Sequence, residues 1–411
     1  MSQAKRGYTD LRYKSGPQPD GERSKQGYQS PFALGGRLQA VVLVGGEGTR
    51  LRPLTYGTPK PMVPLFGVPF LERTLSRLRA AGVDEVILAA GYLPSAIRGH
   101  LGDGSRLGLR LTYVIETEPL GTAGAVKNVA NHIRGAFFVL NGDVLTSLDL
   151  RAMIALHQEK GGLGVLHLIS VEDPSAFGCV VHDEDGRISK FIEKPPKGEE
   201  PCKEVNAGTY LLEPSILDAI PSGRKVSIER ETFPSLLAAG AALYAYTTDD
   251  YWLDVGRPEQ YQQAHRDVLD AKLLLGPLAD PSAAHGHFWP AAPGAGTLPS
   301  GASAPPPGVR PPAFIGNDVV IDPSAVVGPY AIVGDGSRIG ARSEIRNAIL
   351  WDRVIIDTDV SIEGAILASG VRVGRGAHVA SGSVVGHDAT IESSARIPED
   401  ARITAEEPAQ T

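Results

Sequence analysis

Thr49, Arg50, Arg52 and Lys60 crowd behind the glycines Gly45, Gly46 and Gly48 in "VVLVGGEGTRLRPLTYGTPKPMVP", residues Val41–Pro64. Glycines at the end of an apolar run leave backbone N–H groups uncovered, and the cations that follow add charge, so the stretch reads as a cradle for an anion. It is not a Walker A loop, because no Gly-Lys-Ser/Thr follows. It also fails the dinucleotide pattern, because Leu51 stands where the third glycine belongs. On these residues alone a tight strand-to-helix connection is the competing reading.

The elements that must hold this loop follow an α/β alternation. "QAVVLVGG" is a first strand. Phe70 to Ala81 places Leu71, Leu75 and Leu78 on one helical face with Gly82 as a stop, and "DEVILAAG" is a second strand. "LRLTYVIE", a helical stretch through "AVKNVANHI", and "AFFVLNGD" repeat the pattern up to about Leu275. In open sheets of this kind ligands sit beyond the carboxyl ends of strands, where Gly45, Gly46 and Asp143 fall. The expected fold is a Rossmann-like domain with a mostly parallel mixed sheet over residues 38–275.

Residues 276–312 shift to Pro, Ala, Gly and Ser, the composition of a linker. Beyond it Ile315, Ile321, Val327, Val333, Ile339 and Ile345 recur every six residues, and Val373, Val379, Val385, Ile391, Ile397 and Ile403 do so again. This is the period of a hexapeptide-repeat β-helix, a left- or right-winding solenoid over residues 313–405 whose aliphatic residues stack inside a three-sided coil. Between the two runs Ile345 aligns with Ile362 and Ile356 with Val373, one residue short of three hexapeptides, which predicts whole turns with a trimmed corner. Residues 1–37 carry scattered charge without apolar period and read as a flexible arm, and 406–411 as a tail.

The 411 residues allow two cores, and 42% apolar content with a net charge of −7 describes a soluble protein that does not bind nucleic acid. No apolar run spans a membrane and the N-terminus lacks the apolar middle of a secretory signal. Two cysteines, Cys179 and Cys202, are too few for a disulfide framework, and a reducing cytoplasm is the expected setting. Cys179 reads as a small buried apolar residue. His285 and His287 in the linker, and His378 and His387 in the solenoid, read as surface residues without metal-ligand spacing.

"GGEGTRLRPLTYGTPKPM" resembles the signature of the sugar nucleotidyltransferases, and five further stretches match that family in order along the chain. The resemblance implies that the loop Gly45, Gly46, Gly48 and Thr49 wraps a nucleoside triphosphate, that Arg50 holds its phosphates and that Lys60 serves the same anionic region. It implies that Gly121 and Thr122 of "EPLGTAGAV" read the base. Asp143 of "LNGDVL" and Asp254 of "YWLDVGRPEQY" would bind Mg²⁺. Glu193 and Lys194 of "FIEKP" would contact the sugar and its phosphate, Asn206 of "VNAGTY" a sugar hydroxyl, and Gly178 of "AFGCVV" would let the backbone approach the sugar.

The implied reaction joins a nucleoside triphosphate to a sugar 1-phosphate. The attacking phosphate oxygen is already ionised near neutral pH, so charge neutralisation and in-line positioning matter more than a base. Arg50, Lys60, Asp143 and Lys194 are the catalytic candidates. "EPLGTAGAV" and the C-terminal solenoid are similar to the mannose-1-phosphate guanylyltransferase branch, which makes GTP and α-D-mannose 1-phosphate the expected pair. The alternatives are glucose 1-phosphate with UTP, ATP or dTTP, and a manno-heptose 1-phosphate with GTP. A bifunctional acyltransferase would need His378 or His387 as a base, and a non-catalytic paralogue would have lost the charged set. The solenoid's flat sides suit homo-oligomerisation or allosteric control.

Overall fold

The computed structural model describes residues 38–278, 286–291 and 304–405. The expected arm and tail, His285, and residues 279–285 and 292–303 of the linker lie outside the described residues.

The first unit is built on a nine-stranded mixed sheet. Its centre is four parallel neighbours, Phe137–Asn141, Leu38–Val44, Val83–Ala90 and Arg110–Ile115, in that spatial order. Leu38–Val44 is buried along almost its whole length, as a continuous aliphatic strand covered on both faces must be. Its alternate side chains feed two cores. Val42 and Val44 join Leu71, Leu75 and Leu78 of the helix Phe70–Ala80 on one side, while Val41 joins Val126 and Phe137 on the other. Beyond Phe137–Asn141 the sheet turns antiparallel through Glu204–Leu212, which also pairs with Gly164–Ser170 and touches the hairpin Gly178–His182/Ile188–Glu193. A small antiparallel pair, Val144–Thr146 with Trp252–Asp254, stands apart and sets Asp254 opposite Val144.

The second unit is a three-sided β-helix of short parallel strands, one face seven-stranded and two faces five-stranded. Ile345 pairs with Ile362 and Ile356 with Val373, as the sequence alignment requires. The trimmed corners fall at Asn347 and Gly364, both at positive φ, where the step from Ile345 to Leu350, and from Ile362 to Leu367, is one residue shorter than in the outer coils. An inward aliphatic on each face, usually with a second small or aliphatic residue two positions earlier, fills the coil and gives one core from Val309 to Ile391.

Part of the expected linker is structured. His287–Trp289 adds an antiparallel strand to the edge strand Ala313–Ile315, and Trp289 buries its indole in the coil's core. Phe288 and Trp289 of "HFW" cap an edge that would otherwise leave a row of backbone groups and the first rung uncovered.

The two units share a further core. On four successive strands of the seven-stranded face the residue before the inward aliphatic is itself apolar: Ile332, Ile349, Ile366 and Val384 point outward and bury against Leu51, Leu54, Phe66, Phe70 and Tyr261 of the first unit. Polar contacts fix the seam. Trp351 Nε1 donates to the Tyr261 hydroxyl (3.0 Å), which donates in turn to the Pro64 carbonyl. Gln262 Nε2 donates to the Gly364 carbonyl (2.8 Å) and the Tyr330 hydroxyl to Asp270 (2.8 Å).

Candidate active site

The strand Leu38–Val44 ends at Gly45, and a cleft of about 360 Å³ opens there, lined among others by Gly45, Gly46, Gly121, Thr122, Asn141 and Asp143. The sheet explains the convergence. Leu38–Val44 and Phe137–Asn141 are adjacent and parallel, so the loops at their carboxyl ends leave the sheet side by side. The Gly142 N–H donates to the Leu43 carbonyl (3.1 Å), and a Cβ at Gly142 would stand only 2.9 Å from that oxygen. Glycine before Asp143 is what lets the two loops touch.

Gly48 is left-handed (φ 63°) and opens the short turn Thr49–Leu51. A Cβ on it would lie 2.9 Å from Lys60 Cβ, so its bareness brings the lysine under the loop. Lys60 Nζ forms an ion pair with Asp143 Oδ2, in which the lysine side chain is 11% exposed and the aspartate 32%. Arg50 lies over Gly256, where a Cβ would come within 2.9 Å of Nη2. Burial, and then the neighbouring Asp143, push the Asp254 carboxyl above the usual carboxylate range, while Lys60, Arg50 and Lys194 pull it back down. Five charged residues singled out from the sequence thus share one electrostatic neighbourhood, two carboxylates among three cations.

Of the remaining candidates Gly121 and Thr122 line the cleft, while Gly178 and Glu193 lie on the hairpin and Asn206 on the strand Glu204–Leu212. Gly121 is left-handed (φ 70°), with the Val226 carbonyl 2.6 Å from where its Cβ would be. The Thr122 hydroxyl donates to Glu229 Oε2 (2.8 Å) and accepts from the Ile228 N–H (2.8 Å). Gly178 pairs with Glu193 across the hairpin, and a Cβ there would sit 2.7 Å from Glu193 Oε2, so glycine makes the space that the carboxylate occupies. Burial first, and then Glu229, raise the Glu193 pKa, with Lys194 and Arg230 opposing. Lys194, at positive φ (52°), is 3.9 Å from Glu193 and more than half exposed. Asn206 donates to the Tyr210 hydroxyl (2.7 Å) and accepts from the Gly208 N–H (3.1 Å), which fixes the orientation of its amide.

Two residues escaped the sequence reading. Glu229 accepts from Thr122, from Ser227 (2.7 Å) and from the Tyr210 hydroxyl (3.5 Å), linking the segment of Thr122 to that of Asn206. Glu116 accepts from the Leu120 N–H (3.1 Å) and lines the cleft beside Gly45. Neither belongs to a pattern with recognisable spacing. Cys179 is fully buried, as expected, and burial pushes its thiol up to about 11. His387 corrects the expectation of a surface histidine: it is half-buried in the seam with Nε2 3.2 Å from the Leu54 carbonyl oxygen.

Among the described residues no group of three or more His, Cys, Asp or Glu gathers into a ready-made metal cage. Two adjacent carboxylates fit a different pattern, in which a small hard cation is held by one or two carboxylates and completed by substrate phosphates. The mutual repulsion of Asp143 and Asp254 is what such a cation would relieve.

Comparison with known proteins assigns both units to known domain families. Residues 39–271 match the nucleotidyl transferase family model and residues 309–404 that of the GMPPB C-terminal domain. Over 235 residues the chain is 47% identical to a mannose-1-phosphate guanylyltransferase of Mycobacterium tuberculosis, covering 57% of this chain and 65% of that protein. It is 42% identical over 253 residues to mannose-1-phosphate guanylyltransferase 1 of Arabidopsis thaliana, covering 58% of this chain and 69% of that one. These matches therefore span about two thirds of the relatives' length. A crystal structure from Bacillus anthracis, assigned as a glucose-1-phosphate thymidylyltransferase, shares the fold at 23% identity and a TM-score of 0.52, covering 58% of this chain and 97% of that one. The chain belongs to the nucleotidyl transferase family.

Proposed function

We propose that the protein transfers a guanylyl group from GTP to α-D-mannose 1-phosphate, giving GDP-mannose and pyrophosphate. The observation that carries this reading is the meeting of Asp143, Asp254, Lys60, Arg50 and Lys194 beside the glycine loop. The choice of GTP and mannose follows the relatives' names.

An ionised phosphate oxygen of the sugar phosphate forms a bond to the α-phosphorus of GTP as the bond from that phosphorus to the bridging oxygen of pyrophosphate breaks. No proton need move. The N–H groups of Gly45 to Thr49 and the Arg50 guanidinium hold the triphosphate, and Lys60 supplies charge where the leaving pyrophosphate gains it. Lys194 holds the attacking phosphate against its partner. Gly121 and Thr122 face the base, while Gly178, Glu193 and Asn206 face the sugar. Asp143 and Asp254 would hold Mg²⁺, which when bound neutralises phosphate charge and aligns the two substrates. A homo-oligomer assembled through the free solenoid faces and a cytoplasmic setting belong to the same reading, the latter supported by two free thiols.

The decisive assay sets four nucleoside triphosphates against mannose, glucose, galactose and manno-heptose 1-phosphates and scores pyrophosphate release. GTP with mannose 1-phosphate should stand among the best pairs. Preference for glucose 1-phosphate with another triphosphate would replace it.

A further inference from the structure

We propose that His387, on the solenoid, is a positioning residue for the nucleotide loop of the catalytic unit. It rests on the nucleotidyl-transfer reading of that loop but on a contact outside the cleft.

The turn Leu54–Thr58 hangs between the glycine loop and Lys60, and its polar groups are taken by side chains of both units. Nε2 of His387 lies 3.2 Å from the Leu54 carbonyl oxygen and 3.1 Å from the Thr58 hydroxyl oxygen. The next two carbonyls, of Thr55 and Tyr56, both accept from the Tyr92 hydroxyl at 3.3 Å. Three successive carbonyls are therefore held by one side chain of the solenoid and one of the loop that follows the strand Val83–Ala90. The imidazole stands edge-to-face on Trp351, ring centres 5.3 Å apart, and its Cδ2 packs over Gly57, where even a Cβ would be in ordinary contact at 3.5 Å. Gly386 packs more tightly still, on Pro53, whose Cβ would be 3.1 Å from a Cβ at Gly386. Burial lowers the His387 pKa, so the ring is neutral at pH 7, and the tautomer protonated on Nε2 is the one that donates to Leu54.

The turn in turn sets the loop. The Thr55 hydroxyl donates to the Gly48 carbonyl (2.8 Å), the methyl of Thr55 packs 3.1 Å from the position of a Gly48 Cβ, and Lys60 Cβ is still nearer. Lys60 then pairs with Asp143. A displacement of Leu54–Thr58 reaches the triphosphate cradle and Lys60 without passing through the sugar wall, whose residues Glu193, Asn206 and Glu229 lie on other segments. The effect should accordingly fall on the nucleotide and spare the sugar phosphate.

His387→Phe keeps a ring against Trp351 and removes the donor, and His387→Gln restores an N–H on a side chain of similar reach. With the full-length protein, His387→Phe should lower kcat/KM for GTP about tenfold, since small misplacements of positioning groups carry effects of this size. The KM for mannose 1-phosphate should stay within about twofold on the same ground. His387→Gln should recover most of the loss, and adding Thr58→Val to His387→Phe should cost little more. Hydrogen exchange of the amides from Leu54 to Met62 should quicken in the Phe variant and return in the Gln variant. Wild-type GTP kinetics in His387→Phe, equal losses on both substrates, or a Gln variant no better than Phe would each overturn the inference. If the wild-type protein transfers no nucleotide at all, the functional reading fails instead, and the exchange measurement alone decides this one: unchanged exchange rejects it.

Discussion

In the solenoid a residue's neighbour in space lies 17 or 18 positions away, so Val360 meets Ser343 and Arg342 meets Ser324, coil after coil. In the catalytic unit Lys60 meets Asp143 across 83 positions and Thr122 meets Glu229 across 107, and no such separation repeats. The first arrangement adds stability by nearest-neighbour stacking and tolerates any aliphatic of the right size. The second places particular charges once, through a sheet whose strand order has to be right before two loops can meet.

That contrast predicts that removing chemistry and removing packing should separate cleanly. Asp143→Asn should reduce turnover on the order of 10³-fold while its thermal midpoint stays near wild type, because losing the ion pair with Lys60 is offset by relief of the repulsion from Asp254. A variant that kept full activity would remove Asp143 from the site. In the solenoid, Ile362→Ala should lower unfolding free energy by roughly 2–5 kcal/mol, the range for a buried aliphatic truncated in a close-packed core. Chemical denaturation measures the loss, and kcat at a temperature where the variant is folded should match wild type. A large fall in kcat would mean that the coil core and the cleft are not separable.

Glu229→Ala probes the wall of the cleft and should act less strongly, by about tenfold in kcat/KM, because it leaves the Thr122 and Tyr210 hydroxyls without their acceptor. Both substrates should be affected, since Glu229 links the two segments, and a change confined to one would cut that link. The smallest effect concerns the seam. Burial depresses the His265 pKa to about 3 from an ordinary 6.5, in a ring packed on Phe66 and Tyr261. The unfolded chain therefore takes up a proton that the folded one refuses, and stability should fall as pH drops through 6.5 toward 3. Melting curves of His265→Phe should show a shallower loss between pH 6.5 and about 5, where carboxylates hardly titrate. Identical slopes would assign the acid sensitivity to other groups such as His167, which burial also depresses.

The same contrast explains what was legible in the sequence. The solenoid could be read down to its short corners, because a local period carries the register with it. The glycine loop and Asp143 could be placed beyond strand ends from the α/β alternation, while the roles expected of the charged residues came from the family resemblance. Glu229 and Glu116 could not, since each acts through partners that only the folded sheet brings near. The pairing of Lys60 with Asp143 was hidden for the same reason. The seam was only partly legible: the doublets Ile332–Val333, Ile349–Leu350, Ile366–Leu367 and Val384–Val385 run along one face, but Val320–Ile321, Val326–Val327 and Ile355–Ile356 put two aliphatics on the other faces as well. It is the uninterrupted run of four such doublets, not a single one, that coincides with the covered face. His287–Trp289 was missed because composition around it outweighed three residues.

The short corners at Asn347 and Gly364 flank the face that receives the catalytic unit, and Gln262 reaches the Gly364 carbonyl there. They work as a keyway. A regular prism of identical rungs would accept the helix Pro258–Leu269 at several heights, whereas two rungs cut short offer it one. Coils could be gained or lost at the far end of the stack while the catalytic unit stayed indexed to the same place.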